Sequence, residues 1–286
     1  MELEIIIWEL INGLAIGGIF GMISIGLSLT FGALRILNFA HGLFYGLAAY
    51  ILYALIIDGL NFSISALLAV ALITIFGYLY ERVFLRRMYG ENIDYTLLAT
   101  YAVTVTGIGI IKLIWGASYK QVNPPISGTI NLPFNISIDI YRIFIILVSL
   151  IVFILVIIMF RYTNIGKIIV GFVENREELE MLGINPRRPV VIVFMLGTAL
   201  ASLAGILHAP IYTVYPYMTY DMVLIAFAIV VTGGLGSLMG SLVTSYIFGI
   251  VYALISIIHT SLSYVSIFLI MALILIIKPE GLFGER

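Results

Sequence analysis

Nine stretches of the chain are apolar for too long, and alternate too little, to fold around a core in water alone. They lie at about 11–31, 40–57, 62–80, 94–114, 139–160, 190–209, 220–233, 237–257 and 262–277, most of them roughly 16 to 22 residues long. A helix crossing a bilayer needs about 17 to 25 apolar residues, whereas a barrel strand needs about ten that alternate. The runs are therefore helices. Composition agrees: 62% of residues are hydrophobic and 10% charged, against about 45–50% and 25% in soluble domains. The fold class is an all-α polytopic membrane helix bundle of eight or nine hydrophobic segments, forming one transmembrane domain over 1–286. Segment 220–233 is short, so one or more helices are expected to be short or broken, and this one either crosses or re-enters.

Basic residues set the direction. Arg82, Arg86 and Arg87 lie in the 81–93 connection, Arg161, Lys167, Arg176, Arg187 and Arg188 in 161–189, and Lys278 and Arg286 in the tail. The 115–138 connection holds Lys120 alone, flanked by Lys112 and Arg142. Loops rich in Lys and Arg stay cytoplasmic. The first three regions and the C-terminus are thus expected inside, and 115–138 and the N-terminus outside, in a multi-pass cell-membrane protein. The signs agree at every loop if 220–233 crosses, which gives nine crossings.

Other features exclude function classes. The formal net charge is −1 and no cysteine is present, so neither a polyanionic partner nor thiol chemistry is indicated. No nucleic-acid motif is visible. The N-terminal MELEIIIWEL has no basic residue, unlike the start of a cleaved signal peptide, and the first span is expected to stay. No Gly-Lys pair is followed by Ser or Thr, so no phosphate loop exists and this chain is not expected to hydrolyse ATP. Catalytic, cofactor and metal sites are expected to be absent.

GALRILNFAHG, residues 32–42, places Arg35, Asn38 and His41 between two greasy runs. Arg35 can snorkel to an interface, and Asn38 can cap the next helix through its free N–H groups. Two readings fit: a polar hairpin turn, or a non-helical segment near a translocation path or a partner. Asn38, His41 and Gly42 are candidates for the second. So are Gly233, Gly234 and Gly236 in TGGLGSLMG, residues 232–240, where the glycines should break the chain. Small-residue pairs such as Gly13 with Gly17 and Gly42 with Gly46 predict closely packed helices.

The longest charged stretch, 161–189, predicts one helix from about Lys167 to Leu182, closed by Gly183 and by Pro186 and Pro189. Ile168, Phe172, Val173, Leu179 and Leu182 can share an apolar face, opposite Glu174, Glu177, Glu178 and Glu180. That face needs a cover: the protein's own spans, the bilayer, or a groove on a cytoplasmic partner. Its acids argue against an anionic lipid surface.

Taken together the segments resemble the permease subunit of the branched-chain amino acid ABC transporters. The matching stretches are residues 11–50 with NFAHG, ENREELEMLGINPRR at 174–188, GTALASLAGILHAP at 197–210, GGLGSLMGSLVTSYIFG at 233–249 and IKPEGLFGE at 277–285. The resemblance implies an importer with a second homologous permease, two cytoplasmic ABC ATPases that hold ATP and Mg2+, and an extracytoplasmic solute-binding protein. It implies leucine, isoleucine or valine as substrate, with amides or urea in some relatives, passed by alternating access. It also makes the cytoplasmic helix the ATPase-coupling element, centred on Glu174, Asn175, Arg176, Glu177, Leu182 and Gly183. Relatives often have a basic residue and alanine just before this helix, where this chain has Val170 and Gly171. The alternatives are an ABC permease for urea, a sugar or a nucleoside, and an ion-coupled secondary transporter or channel. A secondary transporter usually places ionisable groups within spans, whereas Asp58, Asp94, Lys112, Asp139, Arg142 and Asp221 fall mostly near predicted span ends.

Overall fold

The computed structural model describes residues 2–132, 136–174, 181 and 187–284. Helices α1 (Glu2–Leu34), α2 (His41–Ile57) and α3 (Phe62–Val83) are followed by a short 3-10 turn and by α4 (Ile93–Trp115). A hairpin of β1 (Thr129–Leu132) and β2 (Ile136–Asp139) precedes α5 (Ile140–Tyr162) and α6 (Asn164–Glu174). Then come α7 (Arg187–His208), α8 (Met218–Gly233), α9 (Leu238–Ser256) and α10 (Thr260–Ile277). Each of the nine apolar segments is one helix, and among the described residues α6 is a further, non-spanning one. Among the described residues seven helices are long and apolar enough to cross a membrane. The others are α8, with 16 residues, and α2, with 17. The hairpin is an addition to the all-α expectation, paired from Thr129 opposite Asp139 to Leu132 opposite Ile136.

The bundle is built around α1. Its most apolar stretch is 89% buried, against 17% for α10 at the periphery. Apolarity alone does not decide this, since a peripheral span such as α10 is at least as apolar and faces lipid. Lipid gives no hydrophobic drive between helices, so close backbone contact must hold them. Glycine permits that contact at α1. A Cβ on Gly13 would lie 2.7 Å from Ile250 Cα on α9, and one on Gly26 would lie 2.7 Å from the Gly197 carbonyl on α7. The Gly13 and Gly17 pair thus marks the crossing with α9, where a Cβ on Gly17 would lie 3.0 Å from Tyr246 Cα, whereas Gly26 belongs to no expected pair.

The two ends of the bundle differ. At one, Arg142 pairs with Asp139 at 3.1 Å, bonds Asn12 and covers the Trp8 ring at 4.8 Å. Asn12 donates to Glu9 at 2.9 Å, and Ser256 joins the same carboxylate at 3.3 Å. Lys120 and Val214 exchange backbone bonds of 2.8 Å, tying the connection before β1 to the one before α8. The opposite end carries Arg35, Arg82, Arg86, Arg87, Arg161, Lys167 and Lys278. We refer to these as the Glu9 end and the Arg35 end. Tyr217, just before α8, accepts a 2.6 Å bond from Lys112 near the last turn of α4. Gly234, just after α8, packs on Gly284. The short helix therefore reaches from one end to the other, as nine crossings require.

Candidate functional site

GALRILNFAHG is not a turn at the edge of the bundle. Arg35 closes α1 with φ 53°, the one non-glycine residue at positive φ among the described residues, and its N–H donates to Phe31 at 2.7 Å. The chain then folds back inside. His41 Nε2 donates to the carbonyl of Ile23 at 3.0 Å. From Ile23 to Leu34 at 1.5 Å per residue is about 16 Å, so α2 begins deep within the bundle. Non-helical backbone at such depth survives only where protein satisfies it. Thr100 of α4 does so on both sides: its Oγ1 accepts from Phe39 N–H at 3.1 Å and shares its one proton between the Leu37 carbonyl at 3.2 Å and the Leu97 carbonyl of its own helix at 3.1 Å. Asn38 is 2% exposed. It does not cap α2 as expected: its Oδ1 accepts from Ala40 N–H at 3.1 Å, one residue early, and Ala40 is the cap residue without a side-chain bond. Gly42 lets α2 touch α8, since a Cβ there would lie 2.8 Å from Val223 Cβ. Asn38, His41 and Gly42 thus form a packed break.

Gly233, Gly234 and Gly236 form the α8–α9 turn. Gly234 has φ 106° and Gly236 φ 84°, which side-chain-bearing residues rarely adopt, and Ser237 caps α9 by accepting from Gly240 N–H at 3.1 Å. The C-terminal PEGLFG crosses this turn. Leu282 N–H donates to Thr232 at 2.8 Å and Phe283 N–H to Gly233 at 3.0 Å. These are carbonyls that the end of α8 leaves without helical partners. The two glycine-rich motifs therefore meet at the Arg35 end.

Of the coupling candidates, Glu174 ends α6, while Asn175, Arg176, Glu177, Leu182 and Gly183 lie outside the described residues. The helix starts at Asn164, three residues before Lys167. Ile169 is buried and Ile168 half-buried, with α6 lying against α5 and α7. The protein's own spans thus cover one side of α6, and Val170 is exposed.

None of the candidate path residues lines the well-formed cavity at the Glu9 end. That cavity holds about 310 Å3, within the range of about 300–1,000 Å3 for small-molecule pockets. One wall is apolar, from Ile16, Ile19 and Phe20 of α1 and Met222 and Ile225 of α8. The other is polar: His208 ends α7, Tyr212 and Tyr215 come from the connection before α8, Asp221 sits in its first turn, and Tyr252 and Tyr264 reach in from α9 and α10. Tyr215 donates to Asp221 Oδ2 at 2.6 Å. Burial, and then that carboxylate, push the Tyr215 phenol well above its usual pKa. His208 is 8% exposed, stacks on Tyr212 at 4.7 Å, and leaves Nδ1 without a hydrogen-bond partner. Such a surface suits a small solute with a polar head and an apolar body. Among the described residues no three His, Asp or Glu side chains converge as a metal site needs.

Comparison with known proteins bears on this arrangement. The family described as "Branched-chain amino acid transport system / permease component" matches residues 9–277. The high-affinity branched-chain amino acid transport system permease protein LivH of Salmonella typhimurium is 26% identical, covering 97% of this chain and 95% of its own. BraD of Pseudomonas aeruginosa, of the same description, is also 26% identical with the same coverage. The solved structure of PsaBC from Streptococcus pneumoniae in complex with Fab has a TM-score of 0.50 over 91% of this chain and 89% of that one. At 14% identity that likeness shows the fold alone.

Proposed function

The chain belongs to the family of branched-chain amino acid transport permease components, and we propose that it passes leucine, isoleucine or valine across the cell membrane. It is the ABC-type permease subunit of a binding-protein-dependent importer of a small solute, and ATP is hydrolysed in separate partner subunits. The observation that carries the substrate reading is the extent of the match, which takes in every one of the nine apolar helices. The two-sided cavity supports it, since an aliphatic amino acid has a charged head and an apolar tail.

A second homologous permease, two cytoplasmic ATPases and an extracytoplasmic binding protein complete the assembly. In this reading the Glu9 end faces outside and receives the solute, and the Arg35 end, with its surplus of arginine, faces the cytoplasm. ATP-driven closure of the partners moves the coupling helix, centred on Glu174, Asn175, Arg176, Glu177, Leu182 and Gly183, and the bundle alternates between the two openings.

A thermal-shift screen of the cognate binding protein tests the substrate. Its ligands should include branched-chain and polar amino acids, small amides, urea, ribose and a nucleoside. A bound ligand raises apparent stability by mass action. Leucine, isoleucine or valine should give the shift, and the loaded binding protein should accelerate ATP hydrolysis by the reconstituted complex. A shift with ribose or a nucleoside, and none with any aliphatic amino acid, removes the substrate assignment and leaves the transporter class.

A further inference from the structure

We propose that the cavity at the Glu9 end is a binding site for a primary ammonium group carried on an apolar chain, with Asp221 as its counter-charge. The inference deepens the substrate reading above and rests on it only for orientation. Asp221 is the one acidic side chain in the lining, and no lysine or arginine shares that lining. Among the described residues it forms no ion pair within 4 Å. Its recorded bond is from the neutral Tyr215 hydroxyl, which leaves the carboxylate charge uncompensated beside the apolar wall of Ile16, Phe20 and Met222. A charge in such surroundings gains from a paired, hydrogen-bonding cation.

The lining also offers acceptors besides the acid. Tyr212, Tyr252 and Tyr264 line the same cavity, and a phenol oxygen can accept as well as donate. An ammonium presents three donors and accepts nothing. Asp221 supplies carboxylate oxygens, and the tyrosine hydroxyls of the lining supply lone pairs. A neutral hydroxyl or a carboxylate in the same place would leave Asp221 without a counter-charge, and a carboxylate would add repulsion. The apolar wall then accepts a short aliphatic chain.

The test uses the purified permease–ATPase complex without binding protein, read by its apparent melting temperature. The probes are 3-methylbutylamine, the neutral 3-methylbutanol and the anionic 4-methylpentanoate, which share the aliphatic end and differ in charge. The amine should raise the melting temperature, and the alcohol and the acid should not. Asp221→Asn should abolish the amine shift and Asp221→Glu should restore part of it. Ile225→Trp fills the cavity with the carboxylate intact, so it should also abolish the shift, which keeps the test open if Asp221→Asn does not assemble. The proposal is overturned by an absent amine shift in the unaltered complex. An equal shift in Asp221→Asn or Ile225→Trp, or a shift with the alcohol or the acid as large as with the amine, overturns it as well. The binding-protein screen does not contain this cavity, so either result can fail without the other.

Discussion

The backbone N–H of Phe283 donates to the carbonyl of Gly233 at 3.0 Å. Through this bond and its neighbour from Leu282 to Thr232, the C-terminal tail closes the end of α8. The other end of α8 carries Asp221 into the cavity. One short helix thus joins the cavity at the Glu9 end to the tail at the Arg35 end. A change in the tail's seat is therefore a change at the foot of the helix that forms a cavity wall.

Gly234→Ala should be more damaging than Gly236→Ala. Both positions have positive φ, at 106° and 84°, and a non-glycine residue held in a sparsely populated region costs about 1–3 kcal/mol. They differ in space. A Cβ at Gly234 would lie 2.6 Å from Gly284 N, within the tail, whereas at Gly236 the nearest atom is Gly32 Cα at 3.6 Å. Melting temperatures of the two purified variants should rank Gly234→Ala below Gly236→Ala. The reverse order would mean that the tail yields freely at Gly284.

Thr100→Val should destabilise the break before α2, and Thr100→Ser should not. Valine keeps the shape but removes the hydroxyl that serves both Phe39 N–H and the Leu37 carbonyl. Leaving a buried backbone group without a partner costs about 1–3 kcal/mol. Thermal inactivation in detergent should come at clearly lower temperature for the valine variant. Equal curves for the two variants would show that another donor and acceptor replace the threonine.

Lipid makes the helices legible from sequence. Every spanning segment must be a long apolar run, so the nine helices could be placed from hydropathy alone. Their ends were less legible. The first helix begins well before residue 11, where the Trp8, Glu9, Asn12 and Arg142 cluster forms around its outer turns. The depth of NFAHG was hidden because the groups that satisfy it, Thr100 and the Ile23 carbonyl, lie on other helices. The cavity was the least legible feature. His208, Asp221, Tyr252 and Tyr264 each sit near the end of a separate apolar run, where an isolated polar residue has the ordinary role of marking an interface. A signal was present in the one acid of the 209–221 connection and its surrounding tyrosines, but only packing makes them one site.

Single cysteines can establish which end faces outside, since the chain has none of its own. Ser127 is exposed in the connection before β1, and Arg87 is exposed at the opposite end. Gly284 is a poor choice for the second site, because a side chain there would strike the Glu280 backbone. With an impermeant thiol reagent on intact cells, Ser127→Cys should label and Arg87→Cys should label only after permeabilisation. Labelling of Arg87→Cys in intact cells would invert the orientation.

Leu182→Glu should uncouple the permease from its ATPases. The 161–189 stretch carries four glutamates between 174 and 180 and places Leu182 on the apolar side of the helical pattern. The helix that precedes this residue, α6, is covered by α5 and α7 through Ile168 and Ile169. Leu182 follows α6 in the sequence, in the stretch that the resemblance assigns to the ATPase cleft. A carboxylate pressed into an apolar groove without a partner is costly to desolvate, so the variant should lose docking before it loses folding. It should reach the membrane at normal levels and fail to retain its ATPases on purification, or retain them without stimulation by loaded binding protein. Leu182→Met, similar in volume and apolar, should retain stimulation. If Leu182→Glu shows full ligand-stimulated hydrolysis in proteoliposomes, this face of the helix does not dock. Coupling would then have to run through another surface of the Arg35 end.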